Sequence, residues 1–382
     1  MNNCQRALAI LNYQEYDRLP IVHFGFWHET LVKWANEGHL SMNDAKSWAD
    51  ASPTCKKISD KLGFDFAWFN CFGSELLSPL FESKVIKEHP DGSKEILNQD
   101  GVVVLQKDEI RSIPAEISHT LKDRRSWEDE YKPRLQFSEQ RVTNAMVNTG
   151  HQYLCFDNGG LEFLKEENRE NPIGLMLGSL CGRIRDWMGI VGISYLLIDD
   201  ESLFDEIIET VACLCYKQAE YILRQGARFD FAHFWEDICF KNGPLVNPST
   251  LKLKCGHYYK RLTELVNSYG INIISVDCDG MIDSLIPIWL DNGVNTMFPI
   301  EVGTWNASIA PWRKKYGKIL RGVGGMNKKV FAYDRTAIDA EIERLKPLVE
   351  LGGYIPCPDH RIAPDAKWEN VQYYCEKMRQ LN

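Results

Sequence analysis

No stretch of this 382-residue chain approaches the roughly 20 consecutive apolar residues that a membrane-spanning helix needs. Positive charge is also short: 44 Lys and Arg stand against 53 Asp and Glu, a formal net charge of −9. Nucleic acid is thereby excluded as the main partner, because neutralising phosphates takes Lys and Arg in surplus. The twelve cysteines are scattered and form no C-x-x-C pair, so they are expected as reduced, buried thiols that behave as small apolar residues. There is no internal repeat, low-complexity run or Gly/Ser-rich linker, and the economical reading is one domain spanning 1–382. The opening stretch MNNCQRALAILNYQEYDRLP carries no apolar h-region and no cleavage-site pattern, so the expectation is a soluble, cytoplasmic protein.

What is present is a regular alternation of short apolar segments with longer amphipathic ones. RLPIVHFGF (18–26), GFDFAWFNCF (63–72), FDFAHFWEDICF (229–240), INIISVDCDG (271–280), NTMFPIEVG (295–303), ILRGVGG (319–325) and YIPCPDH (354–360) read as strands. Between them HETLVKWANEGHL, residues 201–226, the stretch from Pro248 to about Tyr269, and residues around 336–351 show helical spacing with caps and glycine stops. Strand and helix in such succession imply an α/β fold with a parallel sheet, and roughly eight units imply a (β/α)8 TIM barrel. Residues 81–113 break the pattern: apolar and polar residues alternate around Asp91-Gly92 and Asp100-Gly101 turn signals, so they are expected as a β-hairpin insertion.

In such a barrel the chemistry sits where strands end. Asp277, Cys278 and Asp279 end one apolar run, Glu301 the next, His233, Glu236 and Asp237 an earlier one, and Cys357 with His360 follow the last. Strand alternation puts His233 and Trp235 on one face and Phe234 and Glu236 on the other, so only one of His233 and Glu236 is expected to look inward. His23 and Trp27 after the first strand, and Trp68 and Phe69 after the second, would give an aromatic wall. For Asp277 and Asp279 helix capping is the competing reading, for Glu236 and His233 a cap and a satisfied core histidine, and for the aromatics plain core packing. Cys278 is expected in the barrel wall.

In order along the chain, RALAILNYQEYDRLP, DGVVVLQKDEIRSIPAEI, GLMLGSLCGRIRDWMG, FWED with NGPLVNP, DG with IPIWLDNGVNTMFPIE, LRGVGGMNK and GGYIPCPDH resemble the uroporphyrinogen decarboxylase superfamily, and within it the branch of cobalamin-linked methyltransferases. That resemblance implies the same barrel. Porphyrin-decarboxylating members carry arginines just after the first strand; here HFGFWHETL has none between Arg18 and Lys33, so a polyanionic porphyrin would lack its counter-charges unless Arg183 or Arg185 supplied them.

The thiol-methylating members have a zinc motif HxC at the end of the sixth strand, a Glu one unit later and a Cys after the last strand. The matching positions are Asp277, Asp279, Glu301, and Cys357 or His360. Oxygen ligands replace soft ones, which suits a divalent metal, zinc by family and Mn²⁺ or Mg²⁺ by ligand type, and argues against a thiol substrate. The implied function is O-demethylation: a methyl group passes from a small, methoxylated aromatic donor to the Co(I) of a separate corrinoid protein carrying cobalamin, with metal Lewis-acid activation of the leaving oxygen. Glu236 and His233 are the catalytic candidates for proton donation, and His23, Trp27, Trp68, Asp157 and Arg183 the candidates for substrate contact. A decarboxylase of a porphyrin-like or other carboxylated substrate and a non-catalytic ligand-binding barrel stay open as alternatives, as does a homodimer.

Overall fold

The computed structural model describes residues 1–107 and 110–381, the side chains of 110–113 excepted. Eight parallel strands form a (β/α)8 barrel: β1 (Val22–His23), β2 (Phe66–Ala67, resumed at Cys71–Phe72), β3 (Gly174–Met176), β4 (Phe231–Trp235), β5 (Ile274–Asp277), β6 (Thr296–Ile300), β7 (Arg321–Met326) and β8 (Tyr354–Pro358). From β2 to β8 each strand pairs with the next. The ring closes because Val22 and His23 pair with Phe66 and Ala67, while beyond β1 Phe26 bridges Ile362 in parallel. Trp27 N donates to Ile362 O at 3.1 Å and Ile362 N to Gly25 O at 3.0 Å.

The strands are short and buried on both sides, which is why they read as near-continuous apolar runs. The covering helices are amphipathic. Glu201–Arg224 starts where the Asp200 side chain accepts from Leu203 N at 3.0 Å, and turns Leu203, Phe204, Ile207, Ile208, Val211, Leu214 and Cys215 inward at three- and four-residue spacing. Each such aliphatic or aromatic side chain contributes about 1.5–3 kcal/mol by leaving water. Pro248–Ser268 begins with Pro248 as its first residue, its missing N–H costing nothing there.

β6 carries a local irregularity that decides where Glu301 points. Its register against β7 shifts between Met297 and Ile300, around Pro299, which has no N–H to give the ladder. Thr296 and Phe298 face the barrel interior; Ile300 then lies against Gly322, and Glu301 follows onto the inner side. Gly324 (φ +127°) is obligatory here, since a Cβ would come within 2.3 Å of Ile300 N.

The insertion is a four-stranded antiparallel sheet of Lys84–Glu88, Lys94–Leu97, Val102–Lys107 and Ile110–His119. Its two expected turns are present, with Gly92 and Gly101 at positive φ; Asp108 and Glu109, inside the expected hairpin, lie outside the described residues. The last strand runs to His119, past the expected limit of 113. Pro114 is accommodated within it because this is an edge strand, where a missing N–H is tolerated.

Candidate active site

The C-terminal ends of the strands gather most of the expected residues, though not all in the expected roles. Inside the barrel His233 and Ser275 are register neighbours on β4 and β5, with Nδ1 2.6 Å from Ser275 Oγ. His233 Nε2 is buried without a partner, and burial holds the imidazole neutral by lowering its pKa to about 3. Two residues on, by strand alternation, Asp277 shares this inner face beside Trp235. Its carboxyl is 3% exposed and, among the described residues, no hydrogen-bond donor reaches it. Burial, then the charges of Asp279 and Asp237, push its pKa well above the carboxylate range. The DxD stretch therefore ends the fifth strand, not the sixth.

Asp279 reaches across to the loop after β8, where Oδ2 stands 3.2 Å from His360 Nε2. Asp279 Oδ1 and His360 Nδ1 are both buried and unpartnered. Glu301 accepts from Gly280 N at 2.5 Å and from Thr304 Oγ1 at 2.8 Å; burial and then Asp279 raise its pKa. These contacts set aside helix capping as the role of Asp277 and Asp279. An aromatic collar surrounds the group: the Phe24 ring lies 4.6 Å from Phe298 and 5.3 Å from His360, Trp27 stacks on His360 at 5.4 Å, and Phe69 meets His233 edge-on at 5.4 Å.

Several expectations change. Glu236 is fully buried on the outer side of β4: Oε1 accepts from Leu180 N and Oε2 from Gly182 N, each at 2.8 Å. It ties the start of helix Cys181–Asp199 to the barrel and does not face the mouth, as the alternation from an inward His233 requires. His23 also points outward, Nε2 2.8 Å from Ser59 Oγ and Nδ1 accepting from Gly25 N at 2.9 Å; it is a core histidine, neutral because burial lowers its pKa to about 3. Trp68 stacks on Phe231 at 4.4 Å deep in the barrel, below the mouth. Asp157 is exposed in the turn Phe156–Gly160, where its carboxylate faces the Cys155 thiol. Cys357 is buried on β8, where Asp359 is the charge acting on it and the Tyr374 hydroxyl of the last helix also feels it; the structure does not bring it to Asp277, Asp279 or Glu301. Cys278 sits in the wall against Cys239, as expected.

Four further residues belong to the mouth. Asp237, beside Glu236, adopts a left-handed φ of 46° that breaks the strand alternation and turns its side chain toward Asp279 and Arg185. Burial, then Asp279, raise its pKa to about 6. Lys328, half-buried after β7, lies against Asp359, Glu301 and Asp279, and burial lowers its pKa. Arg361 covers Phe24, Trp27 and Trp48. Arg185 pairs with Asp186 at 2.8 Å and Asp237 at 3.5 Å. The sequence signal for Asp237, Lys328 and Arg361 was position in a strand-end loop, while Arg185 lies in the first turns of the helix Cys181–Asp199; the left-handed turn at Asp237 had none.

In kind, three carboxylates and an imidazole suit a hard divalent ion, and the unpartnered Asp279 Oδ1 and His360 Nδ1 are the orphan donors that such an ion satisfies. In position, no three donors among the described residues converge, because His360 Nε2 is turned onto Asp279, and the Glu301 oxygens accept from Gly280 N in the loop after β5 and from Thr304 Oγ1 in the loop after β6.

No family model matches the chain, and no curated protein matches it. Among solved structures, a methyltransferase from Methanosarcina mazei superposes with a TM-score of 0.61 at 13% identity, over 99% of this chain and 98% of that one. The likeness is one of fold. It covers the barrel from end to end. A B12-independent methionine synthase from a Shewanella species, in complex with selenomethionine, aligns at a TM-score of 0.43 and 12% identity, over 95% of this chain and 98% of that one.

Proposed function

We propose that this chain is an enzyme of the uroporphyrinogen decarboxylase superfamily that moves a methyl group from a methoxylated aromatic donor to the Co(I) of a corrinoid protein. The observation that carries the reading is a proton-holding carboxylate cluster set inside an aromatic collar at the C-terminal mouth. Co(I) attacks the methyl carbon, the carbon–oxygen bond breaks, and its electron pair stays on the aryl oxygen, which must be stabilised or protonated. Asp237 is the donor of that proton, since a carboxyl titrating at about 6 is half protonated at about pH 6, keeps about a tenth of its protons at pH 7 where an ordinary carboxyl keeps almost none, and readily gives its proton up. Its left-handed backbone is the kind of local strain that functional positions retain. Phe24, Trp27, Phe69 and Phe298 hold an aryl ring and exclude water, so that charge on the leaving oxygen is felt strongly by the groups around it. A divalent metal would need Asp279, Glu301 and His360 to give up their present hydrogen bonds and converge with Asp277, and once so held would add Lewis-acid stabilisation of the same oxygen.

The likeness to a solved methyltransferase over the whole chain supports this reading. The test is metal content and methyl transfer measured together: Glu301→Gln should lower both, and excess metal should restore part of the rate. Full transfer by metal-free Glu301→Gln would remove the metal from the account and leave Asp237 alone.

A decarboxylase of a carboxylated substrate is favoured by one observation, the presence of Arg183 and Arg185 at the mouth. Release of CO2 with no change in Co(I) would select it.

A further inference from the structure

Beside the acidic mouth lies a cleft of about 400 Å³, within the range of sites for small organic ligands. Phe69, Leu76, Met176 and Trp235 supply its apolar surface, and Ser74 and Arg183 its polar end. Arg183 is singular there. Its guanidinium lies 5.3 Å above the Trp235 ring, while NH1 stands 3.7 Å from Asp100 and 3.6 Å from Asp186, both beyond hydrogen-bond length. Its Nε is buried with no partner, and so is the Ser74 hydroxyl. The buried Nε–H is one of the guanidinium's five N–H donors, and leaving it unmet is costly unless a ligand meets it. Arg185 Nε is likewise unpartnered, but its NH2 is drawn to Asp186 at 2.8 Å.

The other end of the cleft touches the proposed chemistry. Met176 is the register neighbour of His233, Trp235 that of Asp277, and the Cys71 thiol in the cleft wall feels the Asp277 charge. A ligand filling the cleft therefore has one end at Arg183 and the other against Cys71, Met176 and Trp235, the strand neighbours of the His233 and Asp277 positions.

We infer that this cleft is a carboxylate-recognition subsite, and that the donor is an aromatic monocarboxylate whose acid group sits on Arg183 and Ser74 and whose methoxyl faces the mouth. The placement of the methoxyl rests on the proposed methyl transfer; the carboxylate subsite does not. Arg183 already faces Asp100 and Asp186 at 3.7 and 3.6 Å and Glu75 also lines the cleft, so a dianion such as a phosphate is disfavoured and a single carboxylate that takes up the unpartnered Nε–H and the Ser74 hydroxyl is the acid group that fits. The planar fork and the flat apolar walls suit a carboxylate on a ring.

The experiment is calorimetric binding of 4-methoxybenzoate and its neutral amide to the whole protein without any cobalt compound. The acid should bind about 10- to 100-fold more tightly. Arg183→Gln should remove that preference while keeping the affinity for the amide, which also shows that the variant is folded; Arg183→Lys should keep part of it. Equal binding of acid and amide, a preference that survives Arg183→Gln, or binding of neither compound overturns the subsite. Acid preference without methyl transfer upholds the subsite and sinks the methyltransferase reading, whereas methyl transfer without acid preference does the reverse.

Discussion

Replacing Asp237 by Asn separates its proton from its shape. Asn is nearly isosteric and is the other residue type that tolerates a left-handed φ such as the 46° found here, so the backbone should hold. The carboxyl titrates at about 6 against an ordinary 3.8. A raised value means that the folded state keeps a proton the unfolded chain has released. The stability from this group is complete below about pH 3.8 and is lost as pH rises through about 6. Two pKa units correspond to a ceiling of about 3 kcal/mol. The side chain is 32% exposed and faces Arg185, so solvent screening and the ion pair reduce the effect to about 1 kcal/mol. Asp237→Asn should therefore be more stable than the parent by about 1 kcal/mol at pH 8 and no more stable near pH 4, read from denaturant melts at both pH values. Its rate of methyl transfer should fall by about 10²- to 10⁴-fold, the usual contribution of a positioned acid. The loss should shrink for donors carrying an electron-withdrawing ring substituent, whose aryl oxide leaves without a proton. A variant with unchanged rate, or a defect that is the same for every leaving group, would refute Asp237 as the acid.

Glu301→Gln should lose bound metal and rate in parallel, measured by elemental analysis and single turnover, because an amide is a poorer ligand and balances no charge. Cys357→Ser, far from that cluster in interactions, should keep both. Glu236→Ala should destabilise the fold by about 2–5 kcal/mol, since it strands two buried backbone N–H groups, while the pH profile of any remaining activity stays that of the parent. Gly182→Ala should fail to accumulate as folded protein, because a Cβ would lie 1.8 Å from Glu236 O; circular dichroism of the purified variant reads this directly.

The barrel was legible because its strands are buried on both faces and so appear as apolar runs, and because its helices keep their apolar spacing and their caps. Asp277, Asp279, Glu301 and His360 were legible as strand-end residues, and the structure places them together at one mouth. Roles set by direction were harder to read. Which of His233 and Glu236 faces inward follows from alternation, but the sequence does not say which face is inner; the structure turns His233 in and Glu236 out. Asp237 was legible as a strand-end residue, but its direction was not, because it takes a conformation that neither strand nor helix periodicity describes. Arg183 was legible as a candidate for substrate contact, whereas Lys328 escaped because its meaning lies in which acidic groups surround it. His23 and Trp68 were expected after their strands, but His23 is the last residue of β1 and Trp68 lies between the two parts of β2, and aromatic and imidazole side chains there pack outward or downward as readily as into a site.

The most direct test is anaerobic incubation of the protein with chemically reduced cob(I)alamin and 4-methoxybenzoate labelled with ¹³C at the methyl carbon. The account predicts loss of the Co(I) absorbance, with the label moved onto cobalt, release of 4-hydroxybenzoate in equal amount, and a markedly slower reaction with Asp237→Asn. Retention of the label in the donor with Co(I) unchanged, accompanied by loss of CO2 from the carboxyl group, would contradict it.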